Sequence, residues 1–518
     1  MTNAPVSGRV SRTAMVASAN PIASLIGTEV LRWDGNAVDA AVAMAVALTV
    51  LEPERSQLGS DVYLQFWDAS ARRSYALTGS GKIASAAGEE SLAKVMDRWI
   101  DAASVPAAPH AWLTALSQWG TMPADDIFAP AIALANDGFA FPKEQFAAMV
   151  GFEDLWNEFP DAGRALAPDP YRIGGTLYQA DLARTLESLA KHGLEWFYHG
   201  KFAQNLVYYV AKRGGCLNLD DLAAHSSLIS DVLRLNYRGV TVTAQPGLTQ
   251  GYQLLEALSI LRGYTFDDRD PENPDVIHAI INAKHFAARD PLANMGTPST
   301  LPIDAILSDE NAEQHRQRID PRLAPSYGFH TVPSDSNFAS TALCVVDARG
   351  NAVSLTQSSG SSFGCGEMVP GTGVLLNNLT YKMADDARTR GPNLSRTRPS
   401  VPATPFMLFK DNELWCAGAS GDIQFDLQCI TQMVDHQRTP QESLESAKWR
   451  VSPSGRSFIV EDRMPLDACY SLRQRGHSVS IKSEWGVPCG SQLISLDVAT
   501  GALFGASDPR EHGLVLGY

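Results

Sequence analysis

Ser340 is where the chain could build chemistry from its own backbone. It follows the small residue Ala339 and opens a short apolar run, Thr341 to Val346. If the chain were cut between Ala339 and Ser340, one residue would carry both a hydroxyl and a free α-amino group. An α-amino group has a reference pKa of about 7.7–8, so near neutrality part of it is unprotonated and can act as a base. It would activate its own hydroxyl, and no histidine would be needed. Serine at a strand start is also a common structural residue, so the pattern alone leaves both readings open.

Other constellations carry less. Gly360-Ser361-Ser362-Phe363-Gly364 matches G-x-S-x-G, in which a serine nucleophile sits between a strand and a helix. Gly364-Cys365-Gly366 and Pro370-Gly371-Thr372-Gly373 follow it, so a Ser/Gly loop is expected instead. His278 and His285, with Lys284 and Arg289 nearby, lie seven apart on a helical pattern, which is not a zinc spacing; they read as core or surface histidines. There is no P-loop, no H-E-x-x-H and no convincing G-x-G-x-x-G, and neither a metal nor a cofactor is expected. Trp33, Trp67, Trp99 and Trp112 form no stacking ladder for single-stranded nucleic acid and read as packing residues.

The elements that must position Ser340 are partly visible. Residues 36–51 carry Ala37, Ala40, Ala41, Met44, Ala45 and Leu48 at the 3.6 period among other small apolar residues, which predicts a helix buried on most faces. Asp39 within it is expected to be paired internally. Residues 62–66 and 73–77 predict a strand pair, and helical patterns dominate from about 88 to 325, with breakers at Pro106, Pro109, Gly163, Gly174-Gly175 and Gly214-Gly215. From Ser340 the chain turns strand-rich. Thr341 to Val346, the polar turn Asp347 to Asn351, and Ala352 to Gln357 predict a hairpin. Further strands are expected at 405–409, 413–418, 457–461, 478–482 and 491–497, with helices near 424–436 and 465–475. That order fits a layered core built from both halves.

Composition narrows the class. The chain has 518 residues, 45% apolar and 19% charged, which is ordinary globular usage. Asp and Glu outnumber Lys and Arg 57 to 42, a net −15 that argues against nucleic-acid binding, because neutralising phosphates needs a basic face. Seven scattered cysteines without a C-x-x-C pair suit reduced thiols better than a disulfide framework. Met1 to Ser18 lacks a secretory pattern, and the longest apolar stretch, Ala37 to Leu51, contains Asp39 and is too short to span a bilayer, so a cytoplasmic location is expected.

An ordered series of motifs then resembles the γ-glutamyltransferase family of N-terminal-nucleophile hydrolases. It runs from Gly35-Asn36-Ala37-Val38-Asp39-Ala40-Ala41 through Leu51-Glu52-Pro53 and Leu58-Gly59-Ser60-Asp61. It continues with Thr341 to Asp347, Gly350-Asn351-Ala352-Val353-Ser354, Phe363-Gly364-Cys365-Gly366, Pro370 to Asn378, and Gly505-Ala506-Ser507-Asp508-Pro509-Arg510. The resemblance implies an α+β fold, a four-layer αββα sandwich assembled from a precursor that cuts itself before its nucleophile. It places that nucleophile at Ser340, where the family usually has Thr, and divides the chain into a large subunit, 1–339, and a small subunit, 340–518; a dimer of such heterodimers is compatible with it. Ser358 falls at a second hydroxyl beside the nucleophile, and Gly421 and Asp422 fall on the glycine pair whose backbone forms the oxyanion hole.

The positions that hold a γ-glutamyl group in the family differ here. Lys82 stands at or beside an arginine, Gly360 replaces an asparagine, Lys382 reverses an acidic charge, and Val401-Pro402 replaces a serine pair. A lysine facing an ammonium repels it, and Val-Pro offers no hydroxyl donors. The pattern resembles the amidohydrolase branch and implies a small amide with a carboxylate-bearing acyl group gripped by Lys82 and Lys382. Alternatives kept open are a glutathione hydrolase or γ-glutamyl transferase with a rebuilt pocket, an uncleaved non-catalytic member, and a carbon–carbon bond hydrolase.

Overall fold

The computed structural model describes residues 8–140, 142–167, 172–247, 249–266, 270–294, 301–325, 338–390, 398–399, 401–402, 404–452, 457–487 and 489–518. The apolar run at Ser340 forms the strand Phe338–Val346, which returns as Ala352–Ser361. Asp347 closes the turn by accepting the N–H groups of Arg349 (2.8 Å) and Asn351 (2.9 Å), while its other oxygen accepts the N–H of Ala37 at 3.0 Å. One turn carboxylate thus ties the hairpin to the first residue of the helix Ala37–Leu51.

This hairpin lies at the centre of a seven-stranded antiparallel sheet. Its order is Leu514–Gly517, Met15–Ser18, Phe338–Val346, Ala352–Ser361, Asp61–Asp68, Arg73–Gly79 and Leu228–Asp231. A second seven-stranded sheet runs Arg9–Ser11, Ala502–Ser507, Gln492–Asp497, Glu413–Ala419, Phe406–Lys410, Val240–Ala244 and Leu233–Tyr237. The period-two rule sorts the nucleophile strand. Ala342, Cys344 and Val346 join Met407, Ala417, Ala419 and Ile494 in the core between the sheets, whereas Leu343 and Val345 pack outward among helix residues. Ser340 shares parity with Ala342 and Cys344, so its side chain enters the gap between the sheets.

Helices complete the outer layers. Pro21–Arg32 and Ala37–Leu51 cover the first sheet, and Gly251–Leu261 and Ile423–Asp435 cover the second. The four-layer αββα sandwich expected from the resemblance is the observed architecture. All fifteen residues of Ala37–Leu51 are buried, and its start is fixed by a capping box between Asn36 and Asp39. Asp39 also accepts the N–H and hydroxyl of Thr121, so it is internally paired as expected.

Helices dominate 88–325 as expected, but the sequence reading missed several strands. Within that region Leu228–Asp231, Leu233–Tyr237 and Val240–Ala244 complete the two sheets at one edge of each. The terminal strands Arg9–Ser11, Met15–Ser18, Ala502–Ser507 and Leu514–Gly517 were not expected either. These are short strands whose pairing partners are remote in sequence, and a local pattern carries little of that information. All seven cysteines are free thiols, six of them buried. Among the described residues no helix is long and apolar enough to cross a membrane.

Candidate active site

The pairing between the two hairpin strands slips at one place. Phe338 faces Ser361 and Ala339 faces Gly360, but Ser340 faces Ser358, leaving Ser359 bulged opposite the Ala339–Ser340 peptide. Ser358 Oγ donates to the Ala339 carbonyl oxygen at 2.8 Å and accepts the N–H of Gly360 at 3.1 Å. Ser340 Oγ is buried and has no hydrogen-bond partner among the described residues. A hydroxyl oxygen without a partner therefore follows a carbonyl whose oxygen already receives a hydrogen bond.

The bulge is held from the side. Gly360 has φ +91°, and a Cβ there would lie 2.1 Å from Asn378 Oδ1, so glycine is required by both backbone and space. Asn378 Oδ1 accepts the N–H of Ser361 (2.8 Å), and its Nδ2 donates to Asp97 Oδ1 (2.6 Å) and Ser361 Oγ (2.9 Å). Ser359 Oγ meets Ser60 Oγ at 2.8 Å. Gly360 thus contributes shape and a backbone donor, and offers no side chain to a substrate. A turn follows Ser361 in place of a helix, so the G-x-S-x-G string is not a nucleophile elbow. Asp97 carried no sequence signal, whereas Asn378 lay inside a recognised run and could have been weighed.

A glycine loop of the other sheet faces Ser340. It leaves the strand Glu413–Ala419 and enters the helix Ile423–Asp435. A Cβ on Gly421 would lie 3.6 Å from Ser340 Cβ and 4.0 Å from its Oγ, which places this loop directly against the Ser340 side chain. Asp422 is extended, at φ −158° and ψ 129°, a conformation any residue adopts, so loss of the second glycine is tolerated. Its carboxylate caps the helix, accepting Gln424 N–H at 3.0 Å and Gln424 Nε2 at 2.7 Å, and its own N–H donates to Ser420 Oγ at 3.2 Å. Asp426, one turn further on, is fully buried, and burial pushes its carboxyl well above the usual range.

Ser340, Ser358 and Asp61 form a row across three neighbouring strands. Asp61 accepts Gly81 N–H at 2.9 Å and the Tyr63 hydroxyl at 3.0 Å, yet burial still pushes its carboxyl up to about 6. Arg398 braces the same corner by donating to the Ser80 carbonyl and, at 2.8 Å, to that of Ser226. Lys82 follows Gly81 and is half-buried, and its backbone carbonyl accepts Val105 N–H at 3.0 Å. Its charge joins burial, His110 and Arg398 in pushing His225 well below the ordinary histidine value. Lys382 lies in the first turn of the helix Leu379–Arg390, buried, its Nζ 5.5 Å from the Tyr381 ring centre. Val401 packs with Tyr63 and Leu379.

The remaining motif residues are structural. His278 bonds His477 through ring nitrogens 2.9 Å apart, inside the core. Arg510 is buried between Glu461 (2.5 Å) and Asp508 (2.9 Å); burial alone would raise the Asp508 carboxyl, but Arg510 and Cys489 hold it below its ordinary value.

Two sheets between helix layers, with a serine from a central strand facing a glycine loop across the gap, define the N-terminal-nucleophile hydrolase class. Residues 23–518 match the pattern described as gamma-glutamyltranspeptidase, and the chain belongs to that family. It is 28% identical to the glutathione hydrolase proenzyme of Escherichia coli, over 98% of this chain and 92% of that one. It is 29% identical to the acylase ACY 1 proenzyme of Pseudomonas sp. (strain SE83), over 90% and 87% of the two chains. The cephalosporin acylase from Bacillus halodurans superposes with a TM-score of 0.91 at 28% identity, covering 100% of this chain and 98% of that one. The chain is accordingly an amidohydrolase of the self-processing type.

Proposed function

We propose that the chain cuts its Ala339–Ser340 bond and then hydrolyses a small amide whose acyl group bears a carboxylate, with Ser340 as nucleophile. The observation that carries this reading is the pair of contacts at that peptide: an unpartnered, buried Ser340 Oγ and a Ser358 hydroxyl 2.8 Å from the Ala339 carbonyl oxygen. Attack of Ser340 Oγ on the Ala339 carbonyl carbon forms a C–O bond. The C–N bond then breaks, and the hydroxyl proton passes to the departing nitrogen. Water cleaves the resulting ester, leaving a carboxylate on Ala339 and an amine and hydroxyl on Ser340.

In turnover the Ser340 amine takes the hydroxyl proton as Oγ attacks the substrate carbonyl, and returns it to the leaving amine. Ser358, released from Ala339, hydrogen-bonds that amine. The N–H groups of Gly421 and Asp422 receive the oxyanion, Asp422 exchanging Ser420 Oγ for it. Each such donor is worth on the order of 3–4 kcal/mol in the transition state. Water then frees the acyl group.

Lys82 and Lys382 are the cations assigned to the substrate carboxylate. Lys382 supports this by its burial four residues beyond Asn378, which braces the bulge. The apolar packing of Val401 and the charge of Lys382 both work against a γ-glutamyl donor, the second reading that the name of the Escherichia coli relative favours. The seven free thiols support a reducing, cytoplasmic setting.

Intact mass of wild type and Ser340→Ala tests the first step: two fragments are expected from wild type and one uncut chain from the variant. Cutting in the variant sinks the assignment. Paired assays with a glutaryl anilide and a γ-glutamyl anilide test the substrate class, and faster turnover of the γ-glutamyl compound would overturn it.

A further inference from the structure

Away from Ser340, three side chains remote in sequence converge within the helical layer of the second sheet. Glu256 comes from the helix Gly251–Leu261, Asp290 from the turn after the helix Pro274–Ala287, and His315 from the helix Asp309–Arg318. His315 Nε2 lies 3.1 Å from Glu256 Oε1 and 3.4 Å from Asp290 Oδ2, and the three atoms fall within 4.8 Å of one another. All three residues are buried. Glu256 is 0% exposed, and its Oε2 has no hydrogen-bond partner among the described residues. Asn311 Nδ2 donates to Asp290 Oδ2 at 2.7 Å, and Leu292 N–H donates to Asp290 Oδ1 at 2.8 Å, so the carboxylate is oriented from outside.

This spacing suits a metal ion. A tetrahedral zinc-type ion holding nitrogen and oxygen at about 2.1 Å sets them about 3.4 Å apart, close to the observed separations. Two carboxylates, one neutral imidazole and one divalent cation also sum to zero charge in a place closed to water. Without a cation, a proton shared between Glu256 and Asp290 and a charged His315 would give the same neutrality. We propose that Glu256, Asp290 and His315 bind one divalent transition-metal cation of the zinc type, with Glu256 Oε2 able to supply a further bond.

The site's role is structural. Asp309–Arg318 is the last described helix before the Ala339–Ser340 peptide, and the cation ties it to two earlier parts of the same layer. That clip would hold the tail of the first segment in place once the chain is cut. No short ligand spacing announces it, because each ligand comes from a different element.

The test uses the full chain, stripped with chelator and titrated with Zn²⁺ alone, then with Co²⁺, whose tetrahedral complexes absorb in the visible. One equivalent retained through desalting, a visible Co²⁺ band and a raised melting temperature are expected. Changes outside the ligand shell cost metal sites about 10–100-fold in affinity, so His315→Ala and Glu256→Gln should lose at least that much. His192→Ala, at an exposed histidine, should not. Zinc-edge absorption of the wild-type protein provides a readout independent of variant folding, with one imidazole and otherwise oxygen ligands expected. Substoichiometric wild-type binding, sulfur ligation, or undiminished binding by a folded His315→Ala protein would overturn the site.

Discussion

In the uncut chain Ser358 donates a hydrogen bond at 2.8 Å to the Ala339 carbonyl oxygen, which the proposed attack by Ser340 would make negative. Removing a comparable donor from an oxyanion costs about 10²–10³ in rate. Ser358→Ala should therefore lengthen the life of the uncut precursor by roughly 10²-fold, read as the decay of the full-length band on a denaturing gel. A half-life equal to wild type would mean that the contact is incidental. Ser340 could be singled out because a hydroxyl at the head of an apolar run is a local pattern, and the resemblance points to the same residue. Asp97 was not legible as a site residue, and Asp61, inside the recognised Leu58-Gly59-Ser60-Asp61 run, was given no role. Their part depends on which strands lie beside Ser340, and spacing along the chain does not encode that.

The strand Ala352–Ser361 works through its bulge, and the bulge works through Gly360. At φ +91° a side chain costs about 1–3 kcal/mol, and the approach of Asn378 Oδ1 adds a clash. Gly360→Ala should lower the melting temperature and slow cutting together; an unchanged melting temperature would show that the loop gives way freely. The neighbouring strand Asp61–Asp68 has a pH signature. Burial raises the Asp61 carboxyl from 3.8 to about 6, so the folded state favours its protonated form. The stability from this group is whole below the unfolded value and is lost as pH rises through about 4 to 6, for a total of roughly 3 kcal/mol. Asp61→Asn, which cannot ionise, should gain on wild type across that window in denaturant melts and hold a constant lead above it. A gain that grows as pH falls would reverse the assignment. The strand Asp61–Asp68 was foreseen to within two residues as half of a strand pair, while the strands between 228 and 244 were hidden among helices whose periodicity dominates that region.

At the scale of the whole molecule the helix Ala37–Leu51 and the hairpin at 338–361 were readable because caps, turn residues and period are local. The order of strands was not, since it pairs the beginning of the chain with its end. That order governs what happens after cutting. In the first sheet, strands from residues 340–518 sit on both sides of Met15–Ser18 and again beside Asp61–Asp68. In the second, they sit between Arg9–Ser11 and Val240–Ala244. Every one of those borders is a hydrogen-bonded ladder, and the core between the sheets is shared by both segments. Neither segment has either seven-stranded sheet to itself, so separating them breaks ladders and exposes core, which amounts to unfolding. The cut protein should therefore run as two bands on a denaturing gel and elute as one species in native buffer. In a urea titration the fragments should part only where the circular dichroism is lost. Folded fragments that separate below that transition would show the interleaved sheets to be a wrong account of what holds the mature molecule together.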